Sequence, residues 1–356
     1  MKYILILIIF GLFASCASSN MVKVGPKQNE KWRALHLLHN SNDYALDTVS
    51  SHIPTFSKMG INVLFYEVNY SYEFESHPEL RLSEKNISKV AARKFAEICR
   101  ENNIRLIIQF QCFGHQSWAK KTFPLLIKYP HLDLTPGAYP NNDSIYCREW
   151  DPTNPQVYKI VFSLMDELID AFQVDGFHIG MDEVFLINDS NAVSTRDKNP
   201  AEVFAYSVNK FYDFLVKKHG LEMFMWGDRL IDAEEYRFSS WEASSNGTAP
   251  AVDIIPKDIV ICDWHYGDRP DFPSIPMFIQ KGFRVLPSGW KDVNATKKLI
   301  EYSYKYNGPL MLGHLFTVWS TGADAALKME SIQEGLKLLE TFNSQQTDAE
   351  INRVNN

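Results

Sequence analysis

The chain has 356 residues, of which 45% are apolar and 22% charged, and a formal net charge of -7. Its basic residues are dispersed instead of gathered into a stripe, which excludes the electrostatic footprint of a nucleic-acid binder. The length suits one α/β barrel with long loops better than a sandwich or a small domain, and no break in composition divides it.

In chain order, the first feature is a processing signal over residues 1–16. Met1-Lys2 gives a positive start, Tyr3 to Phe13 an apolar run, and Phe13-Ala14-Ser15-Cys16 a small-residue cleavage site. The run is too short to span a bilayer. A cysteine directly after the small pair resembles a bacterial lipoprotein signal, with Cys16 as the lipidation site. Such a chain is exported and meets the membrane of the cell envelope through its lipid anchor alone; the alternative is ordinary secretion with cleavage near Ala17. Residues 17–31 are polar and suit a tether, residues 32–345 hold the repeating unit described next, and 346–356 form a polar tail.

That unit is a short β-rich apolar run, a polar loop and an amphipathic helix. The expected strands are Arg33–His39, Ile61–Val68, Ile104–Phe110, Gly176–Met181, Leu221–Trp226, Ile259–Asp263, Phe283–Pro287 and Leu310–Phe316. Between them lie helices such as 154–172. There Asn154 can cap, Pro155 fits the first turn, and Val157, Ile160, Val161, Leu164 and Leu168 form one stripe. A second runs from Pro200 to His219, with basic residues at its negative end and Gly220 as the stop. Eight strands alternating with helices imply parallel pairing, right-handed crossovers and closure into a single (β/α)8 TIM barrel. The alternative, a doubly wound open sheet, would be expected to carry an early Gly-rich phosphate loop, and none is present. Cys99, Cys112, Cys147 and Cys262 show no CxxC spacing and read as buried thiols.

Function in such a barrel belongs at the carboxyl ends of the strands. Polar and aromatic residues gather there: Glu67 and Asn69-Tyr70, Gly114-His115, Asp182-Glu183, Trp226-Gly227-Asp228, Trp264-His265-Tyr266, Ser288-Gly289-Trp290 and Trp319. The most informative segment is Phe177-His178-Ile179-Gly180-Met181-Asp182-Glu183-Val184. In an extended strand His178, Gly180 and Asp182 share one face, which delivers Asp182 to the barrel mouth. Two adjacent carboxyls in a partly dry pocket raise the proton affinity of one of them, as a general acid requires. A bare Asp-Glu pair at a strand end is usually a solvated loop or a helix cap. The full His-x-Gly-x-Asp-Glu string at the end of the fourth of eight strands is far more specific.

That string resembles the signature of glycoside hydrolase family 20, the β-N-acetylhexosaminidases. Asp151 to Tyr158 resembles the segment that opens the family's helix before the acidic strand. Gly114-His115 is similar to its turn after the third strand, and Met225-Trp226-Gly227-Asp228 to its fifth-strand tryptophan motif. The resemblance implies a glycosidase that removes N-acetylhexosamine from an oligosaccharide or glycoconjugate with retention and without an enzymic nucleophile. Glu183 would be the general acid, Asp182 would orient the acetamido N–H, and Tyr266 would assist on the carbonyl side. Trp226, Trp264, Trp290 and Trp319 would wall the acetamido and sugar pocket; any one of them taken singly reads more readily as packing, but four at the same end do not. Glu67, Asp228 and His265 are further candidates for sugar contacts. His115 matches the family's turn histidine near the general acid and is given a supporting role there, and His178 is placed beneath the pair as a structural hydrogen-bonder. A metal held by His115, His178, Asp182 and Glu183 would be expected with paired histidines after the first strand, but His36 and His39 face opposite sides; no metal or cofactor is expected.

Several polar positions of the family differ here. The first-strand end Leu35 to Asn40 has no arginine, Asn69-Tyr70-Ser71 replaces an aspartate pair, Gln109 and Gln111 replace acids, and Ser320 follows Trp319 in place of a glutamate. The small domain that usually precedes the barrel is missing, which makes this a short form. Two other functions therefore stand beside the first: a two-carboxylate glycosidase pairing Glu183 with Asp228, Asp263 or Glu67, and a surface glycan-binding barrel without turnover.

Overall fold

The computed structural model describes residues 24–27, 30–38, 44–319 and 322–354. Cys16 and the signal segment lie outside them, as do residues 17–23 of the expected tether, together with His39, Asn40 and Ser320. Eight strands close into a parallel barrel: β1 Trp32–Leu38, β2 Val63–Glu67, β3 Arg105–Cys112, β4 Gly176–Gly180, β5 Glu222–Trp226, β6 Val260–Trp264, β7 Arg284–Gly289 and β8 Gly313–Val318. Each pairs with its neighbours in sequence, and β1 closes on β8 from Trp32 opposite Gly313 to Leu37 opposite Val318. This is the (β/α)8 TIM barrel expected from the alternation, and closure removes the open-sheet alternative.

The helices form where their end signals are. Asn154 accepts the Gln156 N–H ahead of helix Pro155–Phe172, and Asn199 does the same for Ala201 ahead of helix Pro200–Tyr212. The second helix continues as a π turn, Asp213–Lys218, and stops at Gly220, whose φ of +69° suits glycine. The last helix, Glu330–Val354, runs past the expected limit at residue 345, so the segment expected to be a polar tail is helical as far as Val354.

Alternation along the strands sorts the core into two layers. Outward-facing Leu64, Tyr66, Ile108 and Phe177 pack with Phe95, Leu164 and Leu168 of the helices. Inward-facing Ala34, Phe65, Ile107, Phe224, Cys262 and Leu315 fill the barrel. The inward faces turn polar towards the carboxyl ends, where the same parity delivers His36, Glu67, Gln109, Gln111 and Thr317, all buried. The four described cysteines are free and buried, as expected.

The opposite end of the barrel is held by charge. Arg105 of β3 donates to Asp175 at 2.8 Å and to Glu222 at 2.6 Å, Arg284 also reaches Glu222, and the Arg105 guanidinium lies 5.4 Å from the Trp32 ring centre. Glu222 is thus the anion shared by two cations, with its side chain only 19% exposed. Glu222→Ala would remove the carboxylate of Arg284 and leave Arg105 with Asp175 alone. It is expected to destabilise by about 3 kcal/mol, read as a lower urea midpoint; a loss below about 0.5 kcal/mol would show that the cluster contributes nothing to closure.

Candidate active site

The polar inner layer forms a hydrogen-bonded ladder that leads to the acidic pair. His36 Nε2 stands 3.2 Å from Glu67 Oε2, Gln109 donates to the same carboxylate at 2.9 Å, and Asn69 donates to its other oxygen at 2.7 Å. Gln109 also donates to Gln111 Oε1 at 3.3 Å, and Gln111 in turn donates to Asp182 Oδ1. The two positions where family resemblance leads one to look for acids are therefore amides that link Glu67 to Asp182.

The acidic pair does not arrive on an extended strand. β4 ends at Gly180, and Gly180, Met181 and Glu183 have φ of +68°, +74° and +52°. Parity along the strand therefore stops being a guide at Gly180. A left-handed turn carries Asp182 and Glu183 to the mouth together. Asn69, Phe113 and His115, at the ends of β2 and β3, also have positive φ, so strained backbone gathers around the same opening. Glycine is needed at two close approaches. A Cβ on Gly180 would fall 2.2 Å from Gln111 Oε1, and one on Gly114 would fall 2.6 Å from the Asp182 carbonyl oxygen.

His115 lies beside the general acid, as its turn implied, and reaches both carboxylates. Its Nε2 is 2.8 Å from Glu183 Oε2 and 3.2 Å from Asp182 Oδ2. Burial disfavours the imidazolium, but Asp182 and the hydrogen bonds to both carboxylates hold His115 well above the ordinary histidine range. Burial would likewise raise Asp182, yet the His115 charge and the bonds from His115 and Gln111 bring it below the usual carboxylate value. Asp182 is thus the member of the pair that its surroundings hold ionised. The upward push falls on Asp228, which burial, opposed by Arg229 and assisted by the charge of Asp182, carries up to about 6.

Asp228 is wholly enclosed. It accepts the Glu183 N–H at 2.9 Å, the Trp264 indole N–H at 3.2 Å and Arg229 Nε at 2.7 Å. It touches the acid's backbone and not the cavity, so the expected sugar contact is corrected to a support. His265 is corrected in the same way: buried, it meets Glu242 at 3.0 Å, Ser274 at 2.9 Å and Asp263 at 3.1 Å. Burial opposes its protonation, but Asp263 and Glu242 raise it to about 9. His178 is also buried, accepts the Gly180 N–H through Nδ1 at 3.0 Å and packs 4.6 Å from the Trp226 ring centre. It is the structural hydrogen-bonder expected beneath the pair and does not face the cavity.

The remaining candidates converge. A cavity of about 720 Å³ at the carboxyl ends is lined by Asp182, Glu183, His115, Glu67, Tyr266 and the four tryptophans Trp226, Trp264, Trp290 and Trp319. Tyr266 packs 5.0 Å from Trp264 and 5.5 Å from Trp290, and Trp226 lies 5.7 Å from Trp319. The Trp319 indole N–H, which can only donate, bonds the Tyr266 hydroxyl at 3.0 Å, with the Thr317 hydroxyl 3.2 Å from the same oxygen. Burial pushes the phenol up, which keeps it a neutral donor. Trp118, Tyr146 and Trp241 also line the cavity and were not among the expected site residues. The signal that could have found Trp241 is its position as a lone tryptophan in the polar stretch Ser239 to Ser245. Trp150 is fully buried. Of the described residues, only His115, Asp182 and Glu183 bring three metal-ligating atoms within 4.8 Å of one another.

Residues 31–306 match the model of glycosyl hydrolase family 20, catalytic domain, and the chain belongs to that family of glycosidases. No curated protein matches the chain in sequence. Among solved structures it is similar to a chitobiase from Flavobacterium johnsoniae, with a TM-score of 0.64 at 20% identity over 86% of this chain and 48% of the other. A β-N-acetylhexosaminidase from Bacteroides fragilis is similar at a TM-score of 0.61 and 14% identity, covering 90% and 70% of the two chains. Dispersin B is similar at a TM-score of 0.54 and 20% identity, covering 87% and 98%. The chain therefore spans about half the length of the chitobiase and nearly the whole of Dispersin B.

Gly180→Ala should press a methyl group into Gln111 at a backbone angle that L residues seldom adopt. The expected result is a loss of about 1–3 kcal/mol in stability, seen as a lower Tm, together with a larger fall in activity than the conservative exchange Val184→Ile produces. Unchanged Tm and activity would show that the turn tolerates a side chain and does not hold Gln111 against Asp182.

Proposed function

We propose that the protein is a retaining β-N-acetylhexosaminidase in which the substrate's own acetamido group is the nucleophile. The observation that carries the reading is the arrangement of three unlike groups around one aromatic cavity. Asp182 is an ionised acceptor, Tyr266 is a neutral hydroxyl donor, and Glu183 is a carboxyl whose backbone is fixed by Asp228. An acetamido group needs an acceptor for its N–H, a donor for its carbonyl and an apolar box for its methyl. Asp182, Tyr266 and the tryptophans supply these in turn.

In this scheme Glu183 gives its proton to the glycosidic oxygen as the bond to the leaving sugar breaks. The acetamido oxygen, oriented through Asp182, closes on the anomeric carbon to form an oxazolinium-like ion. Glu183, now a carboxylate, takes a proton from water as that water adds to the anomeric carbon and reopens the ring. Orientation within one molecule supplies much of the rate gain. The two-carboxylate alternative finds less support: Asp228 is consumed by three hydrogen bonds, and Asp263 is buried against Ser274 and His265. Only Glu67 faces the cavity with the pair, and it is held by His36, Asn69 and Gln109. Export as a lipoprotein through Cys16 would place this activity on glycans at the cell envelope.

Glu183→Gln should depress kcat most for alkyl and sugar leaving groups and least for activated phenols, which need little protonation. Asp182→Asn should lower kcat for every acetamido substrate. Equal losses for Glu183→Gln across leaving groups, or full turnover by wild type of a sugar lacking the acetamido group, would favour the two-carboxylate scheme.

The pH profile offers a second check. Asp182 accepts only when ionised, and the charge and hydrogen bond of His115 hold its pKa down against burial. His115→Asn removes the cation and leaves the burial, so the Asp182 pKa must rise. The acidic limb of kcat/KM is expected to move to higher pH. A limb that stays in place would show that Asp182 is not the ionisation it reports.

A further inference from the structure

We infer that Glu149 is a positioning residue for the general acid: it fixes the loop that follows Glu183 and, through the strap that carries it, holds that loop against the His115 turn. The inference rests on the hexosaminidase reading and adds to it a support of the acid that lies outside the cavity. Beyond Gly180 the acid's loop belongs to no strand or helix, residues 181–186 being irregular. Backbone groups in such a segment still need partners once they are withdrawn from water. Side chains provide them one after another. Asp228 accepts the Glu183 N–H at 2.9 Å, the Cys147 thiol donates to the Glu183 carbonyl at 3.6 Å, and Asn246 donates to the Val184 carbonyl at 2.8 Å. Glu149 Oε1 accepts the next two N–H groups, that of Phe185 at 2.5 Å and that of Leu186 at 2.6 Å.

The strap from Arg148 to Trp150 also meets the other side of the acid. Its backbone grips the His115 turn at three points: the Trp150 N–H donates to the Phe113 carbonyl at 3.1 Å, the Gln116 N–H to the Arg148 carbonyl at 2.8 Å, and the Arg148 N–H to the Ser117 hydroxyl at 2.8 Å. The strap is itself anchored, since the Arg148 guanidinium donates to Asp133 at 2.5 Å and to Asn142 at 2.6 Å. Its main chain therefore holds the His115 turn, while the Glu149 side chain holds the loop beyond Glu183. What these contacts set together is the 2.8 Å separation between His115 Nε2 and Glu183 Oε2.

A carboxyl at this place costs more than packing alone would. Glu149 is fully buried, and its second oxygen, Oε2, finds no hydrogen-bond partner among the described residues. Burial pushes the carboxyl up to about 8 against the two N–H bonds and the Arg229 charge, and Asp133 adds to the rise. The group therefore carries its proton at neutral pH and serves as a neutral acceptor. An apolar side chain would avoid the burial of a polar group but would leave two N–H groups unpaired beside the acid. Glu149 does not line the cavity, so its effect on catalysis must pass through the position of Glu183.

The test uses two variants and two leaving groups. Glu149→Met removes both acceptor oxygens with little change of volume, and Glu149→Gln keeps one in a neutral group of the same shape. Glu149→Met is expected to lower kcat for the β-linked disaccharide of N-acetylglucosamine by roughly tenfold to a hundredfold, as a small misplacement of a reacting group does. For the para-nitrophenyl glycoside, whose leaving group needs little protonation, the loss should stay below about threefold. KM should change less than about twofold for either substrate, and Glu149→Gln should recover most of the lost kcat. Equal losses on both substrates, no loss on either, or a Glu149→Gln as impaired as Glu149→Met would overturn the assignment. Should Glu149→Met not fold, Glu149→Asp, whose carboxyl falls one methylene short of the two N–H groups, takes its place with the same expected pattern. If wild type cleaves neither substrate, the hexosaminidase reading fails, and Glu149 is judged by NMR titration of the His115 imidazole. A His115 pKa lower in the variant than in wild type sustains the positioning role, and an unchanged one overturns it.

Discussion

The structure around the mouth depends on one carboxylate that touches no substrate. Asp228 accepts from Glu183 N–H, from the Trp264 indole and from Arg229, and it does so fully buried. The Glu183 backbone sits in the left-handed region, a conformation that a non-glycine residue keeps only when its surroundings impose it. The bond from its N–H to Asp228 is that imposition. One acceptor therefore sets the aim of the acid and the position of a cavity tryptophan together.

The residue after it extends the arrangement. Arg229 neutralises Asp228 on one side and gathers three carbonyls of the Trp241 loop on the other. A buried ion pair of this kind depends on partners for its remaining donors. Arg229 Nη2 finds them in the three carbonyls of the Trp241 loop, while Nη1 has no hydrogen-bond partner among the described residues. The backbone of the acid and the cavity rim are consequently held by one pair of adjacent buried residues at the end of β5.

Much of this was legible in the sequence, and the divide between what was and what was not is physical. Strands and helices were visible because burial imposes period: the stripe from Val157 to Leu168 and the caps at Asn154 and Asn199 are local facts. The barrel followed from alternation, and Asp182-Glu183 and the tryptophans from their places after strands. What failed depended on direction in space. The parity argument for Asp182 broke at Gly180, where φ changes sign. His115 was expected near the general acid, but its second contact, with Asp182, depends on a turn with positive φ at Phe113 and His115, which cannot be traced from residue types. His265 and Asp228 occupy strand-end positions equivalent to those of genuine lining residues, yet a bend of one residue turns them into the wall. Tyr146 and Trp241 lie in irregular loops and Trp118 in a two-residue strand of a small hairpin, where no period marks a face.

The ladder beneath the acidic pair has a consequence for how the site responds to its surroundings. Acids at the positions of Gln109 and Gln111 would gain and lose protons with the medium, so that the charge felt by Asp182 would drift with conditions. Amides cannot. Their two N–H groups and one carbonyl fix both the sense and the strength of each link from Glu67 to Asp182. The Gln109–Gln111 segment of the ladder thereby acts as a link of constant polarity. Adjustment to an acidic or alkaline habitat is left to His115 and the carboxylates at the mouth, where a single exchange of amide for acid would reintroduce a tunable element without altering the shape of the barrel.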